Sequence, residues 1–185
     1  MTPVHRLPRT TPSLRLRHLV HEDALAMMAL NAEASTRRWL PSHVYATAED
    51  ASSRLAFLVS CYSAPGHPQL GPYVLAIELR DTRRLIGHVG FSPLGSEVEV
   101  SYAIAESTRG RGYGAEALVH ACHWIADVFK VPRVLAVTAC ANVASRRTLD
   151  RASFVHAHDE DMIFQGVPQA VSRYFWHAPA DGGEA

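Results

Sequence analysis

The chain has 185 residues and a mass of 20.3 kDa, with 48% hydrophobic and 19% charged residues. That length suits one domain able to bury roughly 70% of its unfolded surface, which excludes any need for a disulfide or metal staple. Eighteen basic side chains balance eighteen acidic ones, so there is no bulk positive field to hold nucleic acid or an anionic membrane.

Residues 1–12 are rich in proline, threonine and arginine and read as a loose tail, as do residues 178–185; the span 13–177 between them reads as one domain. Leu14, Leu16 and Leu19 punctuate arginines and predict a strand over Leu14–Leu19. An alanine- and methionine-rich helix follows over Glu22–Ala34, with two acidic residues in its first turn. Thr47-Ala48-Glu49-Asp50 resembles a capping box and opens a second helix to about Tyr62. Three prolines and two glycines keep Ser63–Pro72 a loop. Tyr73–Arg80 and Arg84–Phe91 then read as a hairpin. Along the next strand, Glu97–Ala105, Val98, Val100, Tyr102 and Ile104 share one face while Glu97, Glu99, Ser101 and Ala103 share the other. A glycine-rich turn leads to a helix from about Gly112 to Phe129. Val134–Cys140 is an apolar strand and Asn142–Ala152 a short helix. Phe154–Phe164 and Ala170–His177 close the chain around the turn Gln165–Pro168. The sum is a mixed α/β domain on one central sheet.

Cys61, Cys122 and Cys140 are widely spaced, which argues against a disulfide scaffold or thiolate zinc cluster and suits a reducing cytoplasm. The first residues lack the apolar core of a secretory signal, and no apolar run approaches the roughly eighteen residues of a membrane helix. The expected setting is cytoplasmic.

The informative segment is Thr108–Ala117. Gly110, Gly112 and Gly114 let backbone N–H groups converge at the start of a long helix, a natural seat for a phosphate, and Arg109 and Arg111 add positive charge. No Lys-Ser/Thr follows, so it is not a Walker A loop, and G-x-G-x-G this late in the chain does not fit a Rossmann fingerprint. The pattern R-x-x-G-x-G resembles the pyrophosphate turn of the GNAT superfamily of acyl-CoA N-acyltransferases, and RGRGYGAEAL resembles its RimJ/RimL subgroup. LRLRHLVHEDA is similar to that subgroup's first strand and helix, EVSY at Glu99–Tyr102 to its E-I-G-Y strand, and Asn142–Ser145 to its N-x-x-S. These motifs keep the family's order and cover about residues 14–177.

The resemblance implies a GNAT fold: a twisted, mostly antiparallel sheet of about seven strands flanked by about four helices. It implies acetyl-CoA as co-substrate, an amine acceptor and direct transfer in a ternary complex; no well-placed cysteine or triad suggests a covalent enzyme intermediate. Ile104, Arg109, Gly110, Arg111, Gly112, Tyr113, Gly114, Ala115 and Asn142 are the expected cofactor contacts. Glu99 is the expected base and Ser145 the proton donor to the leaving thiolate, with a backbone N–H around Val100–Ile104 for the developing oxyanion. Asn142 and Ser145 equally suit a helix N-cap and first turn. Ser101 stands where the family has glycine, as does Ser153 in RASF; Arg146 stands where many members carry an acid tyrosine, with Tyr174 a weaker substitute.

Of the eleven histidines, His120 and His123 flank Cys122 on one helix without a third ligand, so no metal is expected. His156 and His158 are expected on one strand face near the acceptor, and His88 is an alternative base. Glu33, Arg37, Arg38 and Trp39 are candidates for the acceptor pocket. The expected function is N-acetylation of a protein N-terminus or small amine by a monomer or homodimer; the rival is a non-catalytic acyl-CoA sensor on the same fold.

Overall fold

Residues 7–179 are described by the computed structural model; of the predicted tails 1–12 and 178–185, residues 1–6 and 180–185 lie outside them. The sheet contains β1 (Arg9–Thr10), β2 (Leu14–His18), β3 (Tyr73–Leu79), β4 (Leu85–Leu94), β5 (Glu97–Ile104), β6 (Arg133–Ala139), β7 (Val155–Phe164) and β8 (Val167–His177). Their spatial order is β1-β2-β3-β4-β5-β6-β8-β7, and every neighbouring pair is antiparallel except β5 and β6. The helices are α1 (Ala24–Asn31), α2 (Ala34–Trp39), α3 (Ala48–Ser60), α4 (Tyr113–Phe129) and α5 (Val143–Arg151). The mixed α/β architecture is as expected; the short β1 brings the sheet to eight strands, and α2, which lies almost wholly beyond the predicted first helix, brings the α-helices among the described residues to five.

Alternation along the strands decides which helices cover which face. Leu75, Ile77, Val89, Phe91, Val98 and Val100 bury one face with Leu118, Ala121 and Ile125 of α4. The buried residues of α4 (Ala117, Leu118, Ala121, Cys122, Trp124 and Ile125) form a helical stripe, which is why this segment docks as a helix. Ala76 and Ala103, one step out of phase, face α1 and α3 through Met27, Leu30, Leu55 and Leu58. The predicted capping box is formed: Thr47 Oγ1 accepts the Asp50 N–H and Asp50 Oδ2 accepts the Thr47 N–H, each at 3.1 Å.

Three boundaries differ from expectation. The predicted loose tail is ordered over residues 7–12: Arg9 and Thr10 pair with Leu16 and Arg15, and buried Thr11 and the Ser13 N–H both bond to Glu116 at the start of α4. The predicted helix Glu22–Ala34 is regular only over Ala24–Asn31. Its start is a 3-10 turn, His21–Asp23, where Asp23 binds the Arg17 guanidinium at 2.6 and 2.7 Å and accepts the Val20 N–H. Its end is interrupted at Glu33, whose extended backbone starts α2 afresh. The closing turn is only Gln165-Gly166, both at positive φ as a tight hairpin requires, so β8 begins at Val167 and includes Pro168.

Candidate active site

Parallel strands β5 and β6 are paired only at Val98–Val134 and Glu99–Leu135. Beyond these residues they diverge, and the gap between them opens into a cavity of about 620 Å³. The antiparallel ladder dictates what faces this gap. The Ala105 N–H bonds to Ile86 O, so odd-numbered residues of β5 exchange backbone bonds with β4, while Val100, Tyr102 and Ile104 turn their N–H and C=O groups toward β6. The expected backbone donors of Val100–Ile104 therefore lie along a splayed strand, a feature invisible in sequence because it depends on how far two distant segments stay paired.

Glu99 lines the cavity at the point where pairing stops. Burial raises its carboxyl pKa above the ordinary carboxylate value, partly opposed by the Arg173 guanidinium. Register places Arg173 on the same face, opposite Val137, where it is ion-paired to Glu160. Glu97, two positions earlier, is paired with Arg133 at the surface.

The other face of β5 presents Tyr102, whose hydroxyl lies 3.1 Å from Ser145 Oγ and 3.3 Å from the Ser145 carbonyl oxygen. Burial raises the Tyr102 pKa, so the phenol remains a neutral donor at neutral pH. Asn142 Oδ1 accepts the Ser145 N–H at 3.1 Å and thus caps α5, while both residues also line the cavity. The Tyr102 hydroxyl beside Ser145 was missed from sequence, although EVSY contains the residue and strand alternation puts it opposite Glu99. Arg146 and Tyr174, joined at 3.3 Å, do not line the cavity; Tyr174 is buried in the core.

In the glycine turn, Gly110 and Gly112 adopt positive φ values of 77° and 83°, and a Cβ added at either would meet no protein atom within 4 Å. Gly112 starts α4 without a side-chain cap, leaving the first-turn N–H groups of a 17-residue helix directed at the open cradle. Gly114 serves packing instead: a Cβ there would stand 3.1 Å from Thr148 of α5. Tyr113 and Ala115 line the cavity with it, and Ile104 forms the neighbouring wall. Arg109 Nε donates to the Ile104 carbonyl at 2.8 Å, so this guanidinium braces the end of β5. Arg111 is exposed and outside the lining.

Above Glu99, the cavity is bounded by Ser35, Thr36 and Trp39 of α2, by Ser42 and His43, and by Phe164 and Gln165 at the β7–β8 turn. Ser42 Oγ donates to Gln165 Oε1 at 3.0 Å, joining the two walls. Of the residues suggested for this pocket, Trp39 lines it, whereas Glu33, Arg37 and Arg38 do not. His88 is behind the wall rather than in it: its ring stacks on His43 at 5.4 Å, and burial lowers its pKa to about 3. His156 and His158 do not share a face. A bulge between them pairs His156 with Tyr174 and His158 with Arg173, which alternate across β8. Cys122 is wholly buried, with its thiol pKa pushed up by desolvation. Among the described residues, no three His, Cys, Asp or Glu side chains gather as a metal site, and no helix is long and apolar enough to cross a membrane.

A sequence model of the family described as "Acetyltransferase (GNAT) domain" matches residues 13–155. The chain belongs to the GNAT acetyltransferase family. As a GNAT acetyltransferase, it is an acyltransferase enzyme of a family whose general reaction is acetyl transfer to an amine. It is 26% identical over 147 residues to the uncharacterized N-acetyltransferase YoaA of Bacillus subtilis (strain 168), covering 78% of this chain and 80% of that protein. The fold is similar to that of the ribosomal-protein-S5-alanine acetyltransferase of Vibrio fischeri, with a TM-score of 0.79 at 16% identity, over 93% of this chain and 97% of that one. It is also similar to Mycobacterium smegmatis RimJ in complex with a CoA-disulfide, with a TM-score of 0.75 at 17% identity, over 93% and 88% of the two chains.

Proposed function

We propose that this GNAT protein transfers an acetyl group from acetyl-CoA to a primary amine, directly and within a ternary complex. The observation that carries the reading is the gap between β5 and β6, with Glu99 on one face and the Tyr102–Ser145 pair on the other, beside an open anion cradle. Acetyl-CoA supplies the thioester; everything else is the work of this chain.

The first-turn N–H groups of α4 and the open glycines suit a diphosphate, since helix dipole and unpaired donors both favour negative charge there. The inward N–H groups of Tyr102 and Ile104 offer donors along the gap for the pantetheine arm and for the carbonyl oxygen as charge builds on it. Glu99 removes the proton that makes an amine non-nucleophilic: an α-amino group has a pKa of about 8 and lysine about 10. Its raised pKa makes it a stronger base than an exposed carboxylate. The Tyr102 hydroxyl, coupled to Ser145, returns a proton to the departing sulfur. The name of the Vibrio fischeri neighbour makes peptides with N-terminal alanine sensible first acceptors, tested beside N-terminal serine peptides, free amino acids, a polyamine and an aminoglycoside.

Calorimetry with acetyl-CoA, using Gly112→Trp as the filled-cradle control, tests the cofactor site. Thiol release across the amine panel tests the enzyme. Binding with turnover is the expected result. Absence of binding by folded wild-type protein overturns the reading, and binding without turnover of any amine identifies an acyl-CoA sensor instead.

A further inference from the structure

Two short helical segments at the mouth of the cavity cap one another. Glu33 precedes α2 in an extended conformation (φ −62°, ψ 147°) and makes no side-chain cap to its own helix. Its carboxylate instead accepts the backbone N–H of Glu106 at 2.8 Å. Glu106 is the first residue of the 3-10 turn Glu106–Thr108, which feeds directly into Arg109 and the glycine turn. In return, the Glu106 carboxylate accepts the Ser35 N–H in the first turn of α2, at 3.0 Å. The partners lie 73 and 71 residues apart in sequence, so neither cap is local. Arg109 stands between the two carboxylates, 3.8 Å from each, while its Nε is held by the Ile104 carbonyl.

We propose that Glu33 and Glu106 are positioning residues that make the acceptor wall an extension of the phosphate turn, an inference that rests on the acetyltransferase reading of the site. A six-residue helix cannot hold itself together in water, so the placement of α2 depends on what satisfies its orphaned N–H groups. Here that partner is the lead-in to the cofactor turn. α2 in turn carries Ser35, Thr36 and Trp39 into the cavity. An anion that orders Gly110–Gly112 orders Glu106, and through the reciprocal caps it orders the acceptor wall. Linkage makes the effect mutual: an acceptor held against α2 strengthens cofactor binding by the same factor.

Hydrogen exchange across residues 33–40, with and without CoA, tests this in the full chain. CoA should slow exchange in wild type by about fivefold or more, the lower bound of ordinary coupling. Glu106→Ala should abolish that protection while CoA still binds by calorimetry, its affinity reduced by no more than the factor of protection lost. Glu106→Gln keeps an oxygen for the Ser35 N–H and should retain the protection, which a non-specific loss of structure would not allow. Glu33→Ala removes the opposite cap and serves if Glu106→Ala fails to fold; it too should lose the protection. Protection that persists in the alanine variants, or that is lost equally in Glu106→Gln, overturns the coupling while CoA still binds. Failure of wild type to bind CoA overturns the functional reading and this inference with it, and calorimetry tells the two failures apart.

Discussion

Replacing Gly112 separates backbone strain from obstruction of the cradle. The residue sits at φ 83°, ψ −3°, where a side chain with a Cβ costs about 1–2 kcal/mol. Since an added Cβ meets no protein atom within 4 Å, strain rather than a clash sets the folded-state effect of Gly112→Ala. At about 2–4 °C per kcal/mol for a domain of this size, its melting temperature should fall by about 2–8 °C. Gly112→Asn should recover most of that loss, because asparagine tolerates the left-handed region. Cofactor affinity should follow a different order, since every added atom stands in the cradle. Losing one charge-assisted hydrogen bond costs about 1.5–3 kcal/mol, or about ten- to 150-fold in Kd. The asparagine variant should therefore bind CoA at least as weakly as the alanine variant despite its higher stability. Calorimetry and thermal unfolding on the same samples give both quantities. Wild-type affinity in a stable Gly112→Asn protein would refute the cradle, and an unchanged melting temperature in Gly112→Ala would refute the strain.

Glu99→Gln should lower kcat by about 10²–10⁴-fold with CoA affinity within about twofold, as expected for loss of a general base. Burial raises the Glu99 pKa and the required form is the carboxylate, so kcat/KM should fall on the acid side at a pH above that of an ordinary carboxyl group. Arg173→Met removes the opposing charge and should move that limb to still higher pH; a shift to lower pH contradicts the assignment. The folded carboxyl binds its proton more tightly than the unfolded one, so its contribution to stability falls as pH rises through that interval. Glu99→Gln should accordingly be no less stable than wild type at pH 8, and a lower urea midpoint there would contradict the burial argument. Tyr102→Phe and Ser145→Ala should each reduce kcat, and the double variant should lose little more than the worse single one if the pair at 3.1 Å acts as a unit. Fully additive losses would assign them separate roles. Thr47→Ala removes a cap worth about 0.5–2 kcal/mol and should lower the melting temperature without changing CoA affinity, because α3 does not line the cavity.

The legible parts of the site were those held in short, contiguous strings. The glycine run marks where the backbone must lie open, and Gly110 and Gly112 are open at positive φ as a cradle needs, although of the two glycines of R-x-x-G-x-G only Gly112 is open and Gly114 packs against Thr148. Alternation along Glu97–Ile104 assigns Glu99 and Tyr102 to opposite faces, because side-chain direction in a strand follows from odd or even position alone. Arg109 shows the limit of such reading: a cation next to a phosphate turn suggests a phosphate contact, yet its guanidinium braces the Ile104 carbonyl between two carboxylates. The histidines show another limit. A bulge at one residue reverses the facing of everything beyond it, so His156 and His158 separate although they are two positions apart.

Local chemistry along the chain determined the elements and their order. Alternating and helical apolar periods, the Thr47 cap and the glycine turn act over a few residues, and those are the interactions that a linear sequence records. The tertiary structure alone decided where β5 and β6 part, which oxygen satisfies each helix end at Glu33 and Glu106, and that the expected tail at Arg9–Thr10 is a strand. Each of these is settled by whether a backbone group finds its partner on a distant segment, and at the helix ends any side chain that brings an acceptor oxygen to that place would serve. No local pattern marks such a pairing in advance.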